Sequence, residues 1–346
     1  MSNILIDDRS TYLKRTSGWE RYAQELAKLS EIKGVSKFSD QFRDGILSRK
    51  LKSHSQELLK SARFSKSFDL VHFPTIPPFP NQNIDYRKLL ITLHDLTWWK
   101  YPQFSTLIGK KVYKKFTEFA INSGCEIVTV TNSMKAEIVD FFKINDCRVH
   151  VIYPGSDFVS GKYEENSERA REVNRIYSKP YILFVGTIEP RKNLQFLITA
   201  FKSSLMYGEY DLCIAGRIGW NKLKIPEWVT FFESPTDSEL RNLYRNSSAV
   251  INSSYYEGFG LPLIEALALG KSVICPRLPV FKEVLGDYPI FFEPENLHSL
   301  IKVLNNFLPK PLNSMAIEYA RSKFDWSTFR METLSLYQYL ILNPKN

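Results

Sequence analysis

The sequence predicts an α/β protein built from two doubly wound domains, each with a parallel sheet between layers of helices. The chain has 346 residues, too many for one ordinary domain and enough for two of roughly 150 residues each. Short apolar runs alternate with helical patterns along the chain, as they do where right-handed helical crossovers join parallel strands. Two such domains present strand carboxyl ends and helix N-termini to a cleft between them, where a ligand is expected.

Eleven apolar runs are predicted strands. Those in the first half are Ile4–Ile6, Leu70–Phe73, Leu89–Leu93, Ile127–Val130 and Val149–Ile152. Those in the second half are Tyr181–Val185, Asp211–Ala215, Val229–Phe232, Ala249–Ile251, Ser272–Ile274 and Ile290–Phe292. Residues 156–177 are polar and charged, which indicates a linker between the halves. Apolar residues at helical spacing within 326–346 predict a terminal helix.

Composition and motif content exclude several classes of protein. Apolar residues make up 44% of the chain and charged residues 24%, the balance of a globular protein rather than a disordered one. The longest uncharged run, Leu70–Ile84, contains four prolines and does not suit a membrane-spanning helix. Asp7 and Asp8 interrupt the stretch where a signal peptide would be apolar, so a cytoplasmic protein is expected. The four cysteines form no C-x-x-C pair and the five histidines no H-E-x-x-H motif, so no metal site is predicted.

Positive charge is concentrated in the first half of the chain. Residues 1–150 hold 24 of the 46 Lys and Arg and 16 of the 37 Asp and Glu, a net charge of +8, whereas residues 151–346 carry +1. This asymmetry indicates an acidic partner for the first half: nucleic acid, anionic lipid headgroups or a phosphate-bearing substrate. No nucleic-acid-binding fold is recognisable, so nucleic acid is not expected as a partner.

A group of lysines near aromatic residues is the candidate surface for an anionic membrane. On the predicted helix they occupy one face, at positions i and i+4: Lys110, Lys111, Lys114 and Lys115. A basic helix flanked by aromatic residues suits docking on anionic lipid headgroups. The alternative interpretation is an ordinary solvated helix face.

The segment SSYYEGFGLPLIEA, residues 253–266, carries the strongest indication of chemistry. It follows a predicted strand and opens a helix, whose first amides form a site for an anion such as a diphosphate. Gly258 and Gly260 allow the backbone to approach a ligand closely, but the third glycine of a dinucleotide fingerprint is replaced by Leu263. Glu257 and Glu265 would repel an anion and are suited to accept hydrogen bonds from sugar and ribose hydroxyls.

The two glutamates, separated by seven residues within EGFGLPLIEA, resemble the signature of the retaining GT-B glycosyltransferases of family 4, the glycosyl transferases group 1. Other stretches resemble motifs of that family in the same order: SGWERY at 17–22, VHFP at 71–74, HDL at 94–96, TNS at 131–133, YPGSD at 153–157, GTIEPRKN at 186–193, AGR at 215–217 and PVFKEV at 279–284. The resemblance covers most of the chain. It implies the GT-B fold, in which two Rossmann-like domains enclose an interdomain cleft.

The resemblance implies roles for individual residues of the second domain. Glu257 would accept hydrogen bonds from the hydroxyls of the donor sugar, and Glu265 would hold the nucleotide ribose. Lys192 matches the diphosphate-binding lysine of the family. The backbone amides expected to bind donor sugar and phosphate belong to Phe259, Gly260 and Leu261.

Two residues of the first domain and one departure from the family pattern complete the candidate site. Gly18 would let the first loop lie against the phosphate, and His94 would face the donor sugar. Many members carry Arg where this chain has Thr187, directly after the glycine of the phosphate-binding loop. Arg191, next to Lys192, is therefore expected to supply part of that charge. The GTxEPRKN form resembles that of a subgroup of O-antigen mannosyltransferases.

These features predict a retaining, metal-independent hexosyltransferase that uses a GDP- or UDP-linked sugar as its donor substrate and needs no cofactor. The expected reaction is transfer of mannose from GDP-mannose to a glycan or lipid-linked glycan in surface polysaccharide synthesis, such as lipopolysaccharide. Residues 1–155 would bind the acceptor, 178–325 would bind the donor, and the helix in 326–346 would pack back on the first domain. The enzyme would be cytoplasmic, with peripheral attachment to the inner face of the cell membrane.

Alternatives remain at this stage. An inactive relative that only binds a nucleotide sugar, or a nucleotide-sugar epimerase on the same fold, would share most of these motifs. The residue types fit both a carboxylate nucleophile, as in retaining glycosidases, and a front-face route in which the departing phosphate takes the acceptor proton. The family resemblance implies the front-face route.

Overall fold

The computed structural model describes residues 3–8, 11, 18–38, 67–104, 112–156, 179–219, 223–309 and 314–344. The chain divides into two compact units: unit 1 is Met1–Gly155 with Trp326–Asn346, and unit 2 is Ser156–Asp325. Each unit contains a six-stranded sheet with helices. This confirms the predicted α/β class. Residues 157–178, which include most of the predicted linker, lie outside the described residues.

The sheet of unit 1 is parallel and has the order β2-β1-β3-β4-β5-β6. Its strands are β1 Ile4–Ile6, β2 Val35–Lys37, β3 Leu70–Phe73, β4 Leu89–Thr92, β5 Glu126–Thr129 and β6 Val149–Val151. The helices between them are α1 Gly18–Ala27, α2 Thr97–Lys100, α3 Lys114–Asn122 and α4 Asn132–Phe142. Every residue of the central strands β3, β4 and β5 is buried, as expected for parallel strands covered on both faces.

The sheet of unit 2 is also parallel, in the order β12-β11-β10-β7-β8-β9. Its strands are β7 Tyr181–Val185, β8 Asp211–Gly216, β9 Thr230–Glu233, β10 Ala249–Ile251, β11 Ser272–Pro276 and β12 Ile290–Phe292. Its helices are α5 Leu194–Lys202, α6 Asp237–Asn246, α7 Leu261–Ala268, α8 Pro279–Leu285, α9 Leu297–Asn305 and α10 Ser314–Lys323. Counted from β7, this is the doubly wound Rossmann order, in which the winding direction reverses between β7 and β10.

The eleven predicted strands are confirmed, with ends that differ from the structure by at most two residues. The sequence analysis did not predict β2. Only Val35 of its three residues is buried, and the strand lies at the edge of its sheet. Its pattern of alternating apolar and polar residues is therefore too short and too weakly apolar to be distinguished from a loop.

Capping residues fix where several helices begin. The hydroxyl of Thr131 accepts a hydrogen bond from the amide of Met134 at the start of α4. Thr236 and Glu239 form a capping box at the start of α6, in which each side chain accepts from the backbone of the other. Pro262 lies in the first turn of α7, where a missing N–H costs nothing because that amide has no helical partner.

The terminal helix α11, Trp326–Leu342, packs against strand β3 and helix α1 of unit 1. His72 of β3 is fully buried, and its Nδ1 lies 2.6 Å from Tyr337 Oη while its Nε2 lies 2.8 Å from Thr92 Oγ1. Burial lowers the pKa of His72 to about 3, so the ring is neutral at physiological pH. Arg330 Nη1 lies 2.5 Å from Glu25 Oε2 in α1. Specific polar contacts therefore hold the last helix on a sheet formed by the first part of the chain.

Replacing Tyr337 with Phe should lower the free energy of unfolding by about 1–3 kcal/mol, because a buried ring nitrogen of His72 loses its partner. Urea unfolding followed by tryptophan fluorescence measures this loss. Tyr339→Phe is the matched control: its side chain is 56% exposed, and the change should cost less than about 0.5 kcal/mol. Equal effects of the two substitutions would show that the hydrogen bond to His72 does not stabilise the unit.

Candidate active site

Two loops of unit 2 meet at the carboxyl ends of neighbouring strands. The loop 186–193, here the β7 loop, follows β7, and the loop 252–260, here the β10 loop, follows β10. The two strands pair directly and in parallel. From β7 the sheet continues through β8, and from β10 it continues in the opposite direction through β11, so the loops flank the topological switch point. In open α/β sheets, ligands bind in the crevice at that point.

An ion network around Glu257 joins the two loops. Lys192 Nζ lies 2.5 Å from Glu257 Oε1, and Arg191 Nη1 lies 2.7 Å from Glu257 Oε2. Arg191 also donates to Glu189 Oε1, at 2.6 Å from Nη2 and 3.1 Å from Nε, and to the backbone carbonyl of Tyr256, at 2.7 Å from Nη1. The structure thus brings Lys192, Arg191 and Glu257 together.

The carboxylate of Glu257 is buried but remains ionised. Its side chain is 8% exposed, against 11% for Lys192 and 13% for Arg191. Burial alone would raise the pKa of Glu257, but the charges of Arg191 and Lys192 and the hydrogen bonds from Lys192 and Ser254 outweigh burial. They hold the pKa of this carboxyl well below its usual range. At neutral pH it is therefore a fixed hydrogen-bond acceptor.

Further hydrogen bonds tie the two loops to each other. The amide of Tyr255 donates to the carbonyl of Arg191 at 3.0 Å, and Ser253 Oγ donates to the carbonyl of Lys192 at 2.8 Å. The hydroxyl of Ser254 donates to Glu257 Oε1 at 2.7 Å, so that oxygen receives bonds from both loops. The position of Glu257 is consequently determined by its own loop and by the β7 loop together.

Two glycines allow backbone segments to approach where a side chain would not fit. A Cβ on Gly216, at the end of β8, would lie 2.0 Å from the carbonyl oxygen of Gly186 in the β7 loop. Gly260 is the N-cap of α7 with φ +102°, and a Cβ there would lie 2.6 Å from Cε1 of Phe281. Both glycines therefore set the path of a loop at the switch point.

The start of α7 is the element for which the sequence predicts an anion site. Leu261 is the first helical residue, and its amide precedes the amides that donate to Gly260 O, those of Leu263 and Ile264. The Leu261 amide, at the first helical position, has no carbonyl within the helix to bond, and an amide in that position attracts anions. The Phe259 ring is buried and packs edge to face on Phe324, with ring centroids 5.4 Å apart, which anchors the residue before the helix.

Glu265 lies one turn into α7, apart from the ion network. It is 4% exposed, and its Oε2 accepts a hydrogen bond from Tyr244 Oη of α6 at 2.7 Å. Thr187, after the first glycine of the β7 loop, has its methyl group near Gly219. A Cβ on Gly219 would lie 3.0 Å from Thr187 Cγ2, so the threonine methyl packs beside residue 219.

The sequence analysis missed Glu189, Ser254 and Tyr244. Glu189 falls within the GTIEPRKN stretch, and a glutamate two residues before an arginine was the one available signal. Ser254 is three residues from Glu257, within the quoted segment, but serine is common in loops. Tyr244 lies 21 residues before Glu265 on another helix, so no local pattern connects them.

His94 contacts Trp19, the residue that follows Gly18, within unit 1. His94 Nε2 lies 2.9 Å from the carbonyl oxygen of Pro74, and its ring stacks on Trp19 with centroids 5.5 Å apart. Burial lowers the pKa of His94, which favours the neutral imidazole. Gly18, the residue before Trp19, is exposed and begins α1. The loop before it, residues 12–17, lies outside the described residues.

The four lysines of the candidate membrane surface are described only in part. Lys110 and Lys111 lie outside the described residues, whereas Lys114 and Lys115 begin α3. Lys115 is exposed, and Lys114 Nζ lies 6.0 Å from the centre of the Trp99 ring. Phe79 packs on Phe116 nearby, with its own side chain 45% exposed.

Two negative findings concern the described ranges alone. Within them, no three or more His, Cys, Asp or Glu side chains come together as they would to hold a metal ion. Among the helices seen there, none combines the length and the apolar character that a membrane span requires.

The chain is similar to glycosyltransferases in both units. The profile of the family "Glycosyl transferases group 1" matches residues 166–323, and that of "Glycosyltransferase Family 4" matches residues 17–159. Together the two matches span most of the chain. The chain therefore belongs to the group 1, family 4 glycosyltransferases.

Named relatives and solved structures agree with this class. The chain is 24% identical over 281 residues to O-antigen chain mannosyltransferase B of Escherichia coli, covering 75% of this chain and 73% of the relative. It is 27% identical over 263 residues to O-antigen chain mannosyltransferase RfbU of Salmonella typhimurium, covering 72% and 68%. Among solved structures, Anabaena Alr3699/HepE in complex with UDP and glucose superposes with a TM-score of 0.73 at 15% identity, covering 98% of this chain and 100% of that one. The fold is that of the GT-B glycosyltransferases, as predicted.

Replacing Gly216 with Ala should disrupt the β7 loop, because the new Cβ would collide with backbone that cannot rotate away. We expect a loss of more than about 2 kcal/mol in the free energy of unfolding, or a displaced loop with weakened ligand binding. Thermal unfolding and nucleotide titration measure the two effects.

Gly208→Ala provides the control for this substitution. Gly208 has φ +98° but nothing within 4 Å of the added Cβ, so it should cost only about 1 kcal/mol of backbone strain. If Gly216→Ala proved as mild as Gly208→Ala, the close approach of the two loops would be refuted.

Proposed function

We propose that this glycosyltransferase transfers a hexose, mannose from GDP-mannose, to a glycan or lipid-linked glycan during surface polysaccharide synthesis, with retention of configuration. The observation that carries the proposal is the buried Glu257 carboxylate, ion-paired with Lys192 beside the N-terminus of α7. The choice of mannose is supported by the two relatives named as O-antigen mannosyltransferases. The choice of a nucleotide-linked donor is supported by the HepE complex with UDP and glucose.

The leaving group of such a reaction is a nucleoside diphosphate, whose negative charge grows as the glycosidic bond breaks. Lys192 supplies a side-chain cation at the switch point, and the amide of Leu261 at the start of α7 supplies an N–H donor. Fixed donors and charges placed where charge develops stabilise a transition state more than a ground state. In this proposal, protein groups rather than a metal ion balance the charge of the leaving diphosphate.

The two glutamates take different parts of the donor. Glu257 stays ionised and lies in the β10 loop, so it accepts hydrogen bonds from hydroxyls of the transferred sugar. Glu265 lies one turn further along α7, is buried and is oriented by Tyr244, so it holds the hydroxyls of the ribose. Each carboxylate thereby accepts hydrogen bonds from hydroxyl groups, which are donors that a carboxylate binds well.

Retention is proposed through the front-face route that the family resemblance implies. The acceptor hydroxyl attacks on the side from which the diphosphate leaves, and a phosphate oxygen of the leaving group takes the acceptor proton. Unit 1 would bind the acceptor, and the family resemblance implies that His94 faces the donor sugar.

We also propose that unit 1 docks on an anionic membrane surface through the basic start of α3. The exposed Lys115, the Lys114 ammonium near Trp99 and the exposed ring of Phe79 support this proposal. A lipid-linked acceptor presents its pyrophosphate or phosphate at such a surface, where positive charge on the acceptor-binding unit would favour encounter.

A panel of donors tests the reaction. GDP-mannose should stabilise the folded protein by RT ln(1 + [L]/Kd) and so raise its melting temperature, and UDP-glucose should raise the melting temperature less. Radiolabelled GDP-mannose should then label a lipid-linked or oligosaccharide acceptor. A preference for UDP-glucose would overturn mannose as the donor, and binding without transfer or hydrolysis of any donor would favour an inactive relative.

The roles of the glutamates are separable by calorimetry. Glu265→Gln should weaken bare GDP by about tenfold, because its partner is the ribose, a loss of roughly 1.4 kcal/mol. Glu257→Gln should bind bare GDP at least as tightly as wild type while losing the extra affinity that mannose adds. Equal losses of GDP affinity in the two variants would contradict this division.

Changing Lys110, Lys111, Lys114 and Lys115 to Gln should weaken binding to phosphatidylglycerol vesicles by up to about 1 kcal/mol per removed charge. The effect should shrink with added salt. The control removes four exposed lysines of unit 2, Lys202, Lys224, Lys302 and Lys323, so that net charge falls equally. Co-sedimentation with the vesicles measures this binding. If the wild type did not sediment with vesicles at low salt, or if both variants lost equal vesicle affinity, the basic helix would be an ordinary solvated face.

A further inference from the structure

We propose that Glu189 and Arg191 form a positioning pair that holds the Glu257 carboxylate, and that Lys192 is the side-chain cation of the β7 loop that moves to the diphosphate. The inference rests on the proposed function, because it assigns separate roles to two cations of the same donor site. It differs from the expectation, drawn from the missing arginine at Thr187, that Arg191 shares in binding the phosphates.

The guanidinium of Arg191 is already committed to protein groups. Its Nε and Nη2 donate to Glu189, and its Nη1 donates both to the Tyr256 carbonyl and to Glu257. An arginine has five N–H donors in a rigid planar fork, and four of them are accounted for by these bonds. The guanidinium joins the end of the β7 loop to the β10 loop at two points, the Tyr256 carbonyl and Glu257, and is held within its own loop by Glu189.

The ammonium of Lys192 is held differently. Among the described residues its Nζ contacts Glu257 Oε1 alone, at 2.5 Å. An ammonium is a compact charge on a flexible stem and can exchange one anionic partner for another by small rotations. Its Cε lies 3.5 Å from the position of a Cβ on Gly186, so the stem passes over the glycine where the β7 loop begins.

The costs of moving the two cations are unequal. If Arg191 turned towards a diphosphate, Glu189, whose side chain is 9% exposed, would lose the ion pair that the structure gives it. Removing one partner of a buried ion pair is strongly unfavourable. If Lys192 moves instead, Glu257 keeps Arg191 on Oε2 and Ser254 on Oε1. The carboxylate remains fixed and gains a free acceptor site for a sugar hydroxyl.

Charge balance gives the same assignment. Two cations and two carboxylates make the empty cluster formally neutral. Arg191 is balanced within the protein by Glu189 and also pairs with Glu257, so its charge serves to hold Glu257 rather than to meet a ligand. Lys192 and Glu257 form the pair whose separation supplies a cation to the diphosphate and an acceptor to the sugar in one movement.

The test compares Glu189→Gln, the double variant Glu189→Gln/Arg191→Gln, and Lys192→Gln. The double variant keeps the formal charge of the cluster, which separates position from long-range charge. Calorimetry with GDP and with UDP gives nucleotide affinity, and turnover of GDP-mannose gives kcat. We expect the double variant to bind the nucleotide within threefold of wild type while kcat falls at least tenfold. Lys192→Gln should lower the affinity for the nucleotide at least tenfold.

The single substitution Glu189→Gln distinguishes a phosphate-binding Arg191 from a positioning Arg191, because the two roles predict different changes in nucleotide affinity. A phosphate-binding arginine released from Glu189 would bind the nucleotide more tightly, whereas a positioning arginine would leave affinity unchanged and lower kcat. Tighter binding in Glu189→Gln, or a tenfold loss of nucleotide affinity in the double variant, would overturn the inference.

Arg191→Lys keeps the charge without the planar fork and serves if the double variant does not fold. A lysine could substitute for an arginine that binds phosphate, but it could not contact Glu189, the Tyr256 carbonyl and Glu257 together. We therefore expect the kcat of this variant to stay at least tenfold below that of wild type. Full activity of Arg191→Lys would overturn the positioning role. If the wild-type protein bound neither GDP nor UDP, both the proposed function and this inference would be wrong. If the wild type bound the nucleotide but the double variant lost affinity tenfold, only the inference would be wrong.

Discussion

The pairing of one buried carboxylate with two cations is the interaction on which the candidate site depends. Glu257 is a buried charge that the chain keeps ionised by placing Lys192 and Arg191 within hydrogen-bond distance. Burying an ion is costly unless it is paired and hydrogen-bonded, and here both conditions are met. The pairing also links segments 65 residues apart in the sequence, so that two loops act as one surface.

The sheet determines that these segments meet. β7 and β10 are neighbours although two strands lie between them in sequence, because the winding direction reverses there. The loops that follow both strands are carried to the same edge, next to the N-terminus of α7. A cation and a carboxylate thereby come together beside the start of α7. Asn193 at the end of the β7 loop takes a left-handed conformation with φ +53°, as Gly260 does with φ +102°.

The α/β class, the eleven strands and the GT-B fold could be predicted from the sequence, because buried parallel strands leave continuous apolar runs and the motifs occur in order. β2 could not, since an edge strand with one buried residue leaves almost no pattern. The partners of the site residues were also beyond reach. The Tyr244–Glu265 bond joins positions 21 residues apart, and the His72–Tyr337 bond joins positions 265 apart. Contacts of this kind depend on how helices pack on the sheet. The same holds for Arg191: sequence places it beside Lys192, and the structure shows that its donors go to Glu189, Tyr256 and Glu257.

The most direct test of the account is a crystal structure of the full chain with GDP bound. The account predicts a diphosphate oxygen within about 3 Å of Lys192 Nζ, at ordinary hydrogen-bond distance. It also predicts that Lys192 has left Glu257 while Arg191 still bridges Glu189 and Glu257. A diphosphate bound by Arg191 with Lys192 still on Glu257, or a nucleotide bound away from the loops that follow β7 and β10, would contradict it.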